Sequence, residues 1–222
     1  MEKKWTLQKS DENLVENLSA ELKVNKIVAH LLVLRGISTY EQAEKFFRPD
    51  IKDLHDPFLM KGMKDAVDRI ELAIKKGEKI LVYGDYDVDG TTSVSMMYSF
   101  LTRFSEKMGY YIPDRYDEGY GISLKGIDYA QSHDYSLIIS LDCGIRAVKQ
   151  VEYASNKNID FIICDHHTPG LNIPRAISIL NPKQLDCDYP YKELSGCGVG
   201  FKLIQAYSEK NNIDFTEIAE YL

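Results

Sequence analysis

No apolar run in this sequence approaches the ~20 residues that a membrane-spanning helix needs. The opening MEKKWTLQKSDEN also lacks the apolar core of a secretion signal. From these two absences we expect a cytoplasmic chain with no membrane partner. Paired cysteine spacing is missing too: Cys143, Cys164, Cys187 and Cys197 form no CxxC. That argues against a closed zinc site, and two of these cysteines fall in or beside predicted core elements, so reduced core thiols are expected. Positive charge is in deficit. A formal net charge of −7 argues against broad electrostatic attraction to nucleic acid but leaves room for a local site. Acidic metal ligands lower the net charge and, once occupied, present positive charge to a phosphate. Low-complexity tracts and repeats of solenoid period are absent as well.

What is present is an ordinary globular composition, 222 residues with 44% hydrophobic and 27% charged, enough for one main domain and an appendage. Residues 1–60 read as a small helical region with a connector. VNKIVAHLLVLRG has helical apolar spacing with Gly36 as a stop, Ser38 with Glu41 suggests a capping box opening the next helix, and Phe46–Met63 reads as a crossing segment. His30 and His55 stand alone there and receive no chemistry. A helix is expected over 63–76, with Gly77 past its end. Short apolar strands are then expected at 79–83, 110–112, 136–141, 160–164 and 176–180, with helical segments between most of them. One such helix follows Gly90 and carries Val94, Met97, Leu101, Phe104 and Met108 on one face. The alternation predicts an α/β fold, a doubly wound, mainly parallel sheet over 61–222 covered by helices on both faces.

Three of these strands run directly into polar clusters. VYGDYDVDG brings Asp85, Asp87 and Asp89 after the first; Asp142, Cys143 and Gly144 follow SLIISL; Asp165, His166 and His167 follow DFIIC. Taken singly, each has a bland explanation: an Asp-rich capping turn, Asp142 as the cap of a helix beginning near Ile145, or a loop histidine. In a parallel sheet, however, all strand carboxyl ends lie on one edge, where such folds bind ligands, so the clusters converge. Crowded carboxylates repel one another unless a cation holds them. With imidazole beside them and no thiolate preference, they suit Mn²⁺ or Mg²⁺ above Zn²⁺, and their number suggests two ions. Two such ions favour hydrolysis of a phosphoester.

GDYDVDG, SLDCG and CDHH, in this order and spacing, resemble the DHH phosphoesterase superfamily. IPDRYDEGYG and LSGCGVGFKL, with the leading helices and FFRPD, are similar to its single-strand-specific exonuclease branch. The resemblance implies metal ligation by Asp87, Asp89, Asp142 and His166, with Asp142 bridging, and Asp85 as a ligand or a group just behind one. It implies catalytic roles for Asp142, His166 and His167, the last stabilising charge on the scissile phosphate. Arg115 is a phosphate or DNA contact, or else a surface ion pair with Asp114, Asp117 or Glu118. Gly196, Gly198 and Gly200 offer amides to a phosphate, or close packing to a helix; Cys197 stands where relatives commonly have Ala. The implied activity is 5′-to-3′ hydrolysis of single-stranded DNA in recombination and repair, with a helicase or single-strand-binding protein as partner. The alternatives are a phosphoesterase of short oligonucleotides or cyclic dinucleotides, and a non-catalytic nucleotide-binding domain. The family has a further metal-binding Asp beyond the last helix of this sequence, then a second domain. The resemblance thus reads 61–222 as a DHH domain truncated at its carboxyl end.

Overall fold

The computed structural model describes residues 4–222. The chain divides into two units between Leu54 and His55. In the first, helices α1 (Glu12–Leu22), α2 (Lys26–Leu34) and α3 (Tyr40–Phe47) enclose a small core of Val15, Leu18, Ala29, Leu32, Ile37 and Ala43. Asp11, Asn25 and Thr39 cap them, giving side-chain acceptors to amides that a helix start leaves without partners. The third cap corrects the sequence reading by one residue. Thr39 accepts from the Gln42 N–H, and the Gln42 side-chain oxygen accepts from the Ser38 N–H, so Gln42 and not Glu41 closes the box.

The second unit begins at His55, so residues 55–60, read from sequence as connector, belong with the sheet. The buried Lys202 ammonium donates to the His55 carbonyl there. Helix α4 (Met63–Lys76) ends at Gly77, whose φ of 65° suits a residue without Cβ. Strands β1 (Lys79–Gly84), β2 (Met108–Tyr111), β3 (Tyr135–Leu141), β4 (Asp160–Cys164) and β5 (Ser178–Leu180) form one sheet, all neighbours parallel, in the order β2-β1-β3-β4-β5. Both faces are covered, which is why the central strands are continuously apolar rather than alternating. Leu81, Tyr83, Ile138, Phe161 and Ile163 pack on α6 (Leu124–Ser132) and α7 (Val148–Ser155) through Ile127, Ala130, Val151 and Ala154. Helices α4, α5 (Val88–Leu101) and α8 (Gly196–Lys210) cover the other face.

Helix α5 departs from its predicted span at both ends. It starts at Val88 because the Asp87 carboxylate accepts from the Gly90 N–H, which places Asp89 inside the first turn. It stops at Leu101. Phe104 lies in the following turn but still packs against Phe100 and Tyr207, and so mimics helical spacing. Met108 opens β2.

The strand order reverses beside β1: the chain passes outward to β2, then returns across to β3. Such a reversal opens a crevice at the carboxyl ends of the two central strands. Register makes this edge level. Gly84 pairs with Leu141, Leu141 with Cys164 and Cys164 with Leu180, so the next residues, Asp85, Asp142, Asp165 and Asn181, stand in a row.

Candidate metal centre

The residues of this row are all buried, between 0% and 2% exposed. Asp142, between Asp85 and Asp165, is the least satisfied. Its N–H keeps sheet pairing with the Cys164 carbonyl, after which a φ of 59° turns the chain away from the sheet. This is left-handed backbone that Asp adopts more readily than most residues. One carboxylate oxygen, Oδ1, is buried with no hydrogen-bond partner among the described residues. His166 Nε2 lies 3.1 Å from that oxygen, outside hydrogen-bond geometry, and 3.7 Å from Asp89 Oδ2. Burial, then the charges of Asp89, Asp87 and Asp165, raise the Asp142 carboxyl to about 8. Asp85 is also raised, by burial and then by Asp87, and its Oδ2 likewise has no partner among the described residues. Leaving a buried oxygen without a donor costs about 1–3 kcal/mol, more if charged.

The neighbouring carboxylates are engaged differently. Asp87 caps α5. Asp89 reaches across to α8, Oδ2 accepting from the Gly196 N–H and Oδ1 from the Cys197 N–H, each at 2.7 Å. The Gly198 N–H is taken by Ser195 Oγ. Of the two readings of these glycines, amides for a phosphate or close packing of a helix, the first meets amides of Gly196 and Gly198 that already have protein acceptors. Gly196 is small for another reason: a Cβ there would lie 2.5 Å from the Asp142 Cβ. A Cβ on Gly200 would meet Leu141 and Met96 at close contact.

Asp165, given no role of its own by the sequence reading, organises the opposite side. Its Oδ2 accepts from the Ile145 N–H, and its Oδ1 from the N–H groups of His166 and His167. That is why Asp142 is not the cap of a helix near Ile145; α7 begins later, at Val148, without a side-chain cap. With both Asp165 oxygens already accepting, the proton in its 2.7 Å contact with His167 Nδ1 sits on the imidazole. His167 Nε2 is left for Tyr120 Oη, 3.1 Å away. Asn181 completes the support by donating to the His167 carbonyl. Asp165 stands among the strand-end clusters of the sequence with its role unmarked; Asn181 follows β5 in the same way but carries no charge to mark it, and Tyr120 lies in a loop with no such signal. Arg115 is exposed and forms none of the expected ion pairs among the described residues; its guanidinium lies over the Tyr86 ring, 5.3 Å from the centroid. Cys143 packs in the core on the α6 and α7 side, and burial pushes its thiol well above the ordinary range. The four thiols are free.

The donor set fits a divalent cation. Ligand atoms of Asp142, His166 and His167 lie within 4.8 Å of one another. Two buried carboxylate oxygens without donors adjoin oxygen and imidazole ligands, with no thiolate among them.

Residues 79–222 match the DHH family, N-terminal domain. The chain belongs to the DHH family. It is 46% identical over 91% of its length to the single-stranded-DNA-specific exonuclease RecJ of Bacillus subtilis, of which it spans 26%. It resembles the crystal structure of an exonuclease RecJ bound to manganese with a TM-score of 0.64 at 30% identity, covering 70% of this chain and 39% of that one. A second structure, RecJ of Thermus thermophilus in complex with Mn²⁺, shares the fold with a TM-score of 0.73 at 24% identity, covering 94% of this chain and 29% of that one. The DHH motif itself is Asp165, His166 and His167: the aspartate holds one histidine through its side chain and both through their amides. Among the described residues no helix is long and apolar enough to cross a membrane.

Proposed function

We propose that this chain carries the metal-dependent centre of a cytoplasmic 5′-to-3′ exonuclease that hydrolyses phosphodiester bonds of single-stranded DNA in recombination and repair. The observation that carries the reading is the buried Oδ1 of Asp142, without a hydrogen bond and facing His166 Nε2, in a chain 46% identical to a RecJ. Asp87, Asp89, Asp142 and His166 would hold two Mn²⁺ or Mg²⁺ ions, with Asp142 shared and Asp85 beside them. Bound there, divalent cations would lower the pKa of water and neutralise charge on phosphate oxygens.

The protein's own groups do the positioning. Asp89 ties α8 to α5 and so holds Gly196 against Asp142. Asp165 fixes the His167 ring so that Nε2, when protonated, donates to a phosphate oxygen as charge develops. Arg115, on its Tyr86 support, meets the DNA backbone. A helicase or a single-strand-binding protein is the class of partner that would supply such a strand.

The test is a chimera in which these residues replace the matching segment of the Bacillus subtilis relative, assayed on end-labelled single and double strands with Mn²⁺ or chelator. Mn²⁺-dependent release of mononucleotides from the 5′ end of the single strand is expected, and its loss in Asp142→Asn. Release that ignores the metal, or that persists in the variant, contradicts the assignment.

A further inference from the structure

A cavity of about 430 Å³ opens beside the aspartate row, lined by Tyr120, Ile122, Ile145, Ala147, Gln150 and His167 among others. We propose that it receives the base of the nucleotide whose phosphate lies at Asp142, His166 and His167, with little regard to which base it is. The inference rests on the exonuclease reading and adds to it a subsite.

Adjacency comes first. His167 both lines the cavity and contributes to the cluster of ligand atoms, so a phosphate at that cluster places its own nucleoside at the cavity mouth. The volume lies within the range of small-molecule sites, which are mostly apolar with a few polar groups. Tyr120 is 61% exposed; its ring is held by edge contact with Tyr86, and its hydroxyl rests at His167 Nε2 until a phosphate takes that nitrogen. It offers a fixed aromatic ring against which any base can stack.

Three polar groups of the lining are already engaged within the protein. The Ile145 N–H is bound by Asp165, the Cys143 carbonyl by Ser140 Oγ, and Arg146 Nε donates to the Thr168 carbonyl. Strong discrimination between bases needs fixed donors and acceptors that are left unpaired by the wrong partner. Here the Gln150 amide, able to donate or accept, the Thr168 hydroxyl and the outer guanidinium nitrogens of the exposed Arg146 are the polar side-chain groups of the lining without a hydrogen bond among the described residues, and none of them is buried and fixed. An enzyme that removes successive nucleotides needs such indifference.

The experiment is methyl NMR of the 222-residue chain in Mg²⁺, titrated with dAMP, dTMP and 2-deoxyribose 5-phosphate. The Ile122 and Ile145 methyls should shift saturably with both nucleotides, at affinities within about threefold of each other. The sugar phosphate should bind about tenfold more weakly, the value of one stacked base. Ala147→Leu, which fills the cavity, should lower nucleotide affinity about tenfold while leaving sugar-phosphate affinity unchanged. Equal affinity for nucleotide and sugar phosphate, or nucleotide binding without shifts at Ile122 and Ile145, overturns the proposal. Should the variant not fold, the three-ligand comparison on the unaltered chain decides alone. Failure of the exonuclease reading is seen separately, as absent hydrolysis by the chimera, and leaves these titrations interpretable.

Discussion

Replacing Asp142 by Asn should stabilise the metal-free protein and abolish its response to Mn²⁺. The Asp142 carboxyl is 2% exposed, and burial together with Asp89, Asp87 and Asp165 raises it from 3.8 to about 8. In the unfolded chain it titrates near the ordinary carboxyl value. Between those two pH values the folded state holds a proton that the unfolded state has released, so stability falls as pH rises from about 4 to about 8 and is level on either side. At pH 7 the folded carboxyl is mostly protonated and the unfolded one ionised. The cost is then about 3 units of pH at ~1.36 kcal/mol each, at most about 4 kcal/mol. Asn carries no charge, accepts the φ of 59° and can donate to the neighbouring carboxylates. In a chain of this size the gain corresponds to on the order of 10 °C in Tm. The assay is thermal unfolding of both proteins across that pH range, in chelator and in Mn²⁺. In chelator the variant should melt higher, with the gap widening as pH rises; in Mn²⁺ only the unaltered protein should gain. A variant that melts lower than its parent at neutral pH in chelator, or gains as much from Mn²⁺, would refute the reasoning.

Gly196→Ala should cost about 1–3 kcal/mol in urea denaturation and weaken Mn²⁺ binding, because its Cβ would lie 2.5 Å from that of Asp142 and both are anchored in backbone; an unchanged midpoint would mean that α8 can shift freely. Asp165→Asn should put an NH2 donor in place of one carboxylate oxygen and remove the charge that favours a proton on His167 Nδ1, visible as a changed tautomer in the imidazole ¹⁵N shifts, and lower kcat of the chimera more than it raises KM. The opposite split would make Asp165 a binding residue. Arg115→Ala should reduce affinity for single-stranded DNA and flatten the dependence of log K on log salt by about 0.7, the value of one phosphate contact; an unaltered slope would place Arg115 away from the backbone.

Much of the centre is legible in the chain because its chemistry is local to strand ends. Asp85, Asp142 and the Asp165–His167 cluster each follow a run of buried apolar residues, and in a parallel sheet such positions share one edge. The periodicity of β1, β3 and β4, the span of α4 with its Gly77 stop, and the coverage of both faces follow from the same local pattern. That is enough to place the carboxylates together and to infer a cation.

What each carboxylate does there depends on contacts between residues far apart in the chain, which no local pattern encodes. Asp89 could be recognised as acidic and near the edge. Only the packing of α8 against α5 gives its oxygens the amides of Gly196 and Cys197, and decides, between the two readings of these glycines, for a close approach of Gly196 to Asp142. Likewise Asp165 stands in the motif, yet its hold on Ile145 comes from the parallel pairing of β3 with β4. The cavity beside His167 requires the loop bearing Tyr120 to fold over the sheet edge. Residue types and strand order made a charged edge unavoidable; tertiary packing decided which of its oxygens were satisfied by the protein and which, at Asp142 and Asp85, have no donor among the described residues.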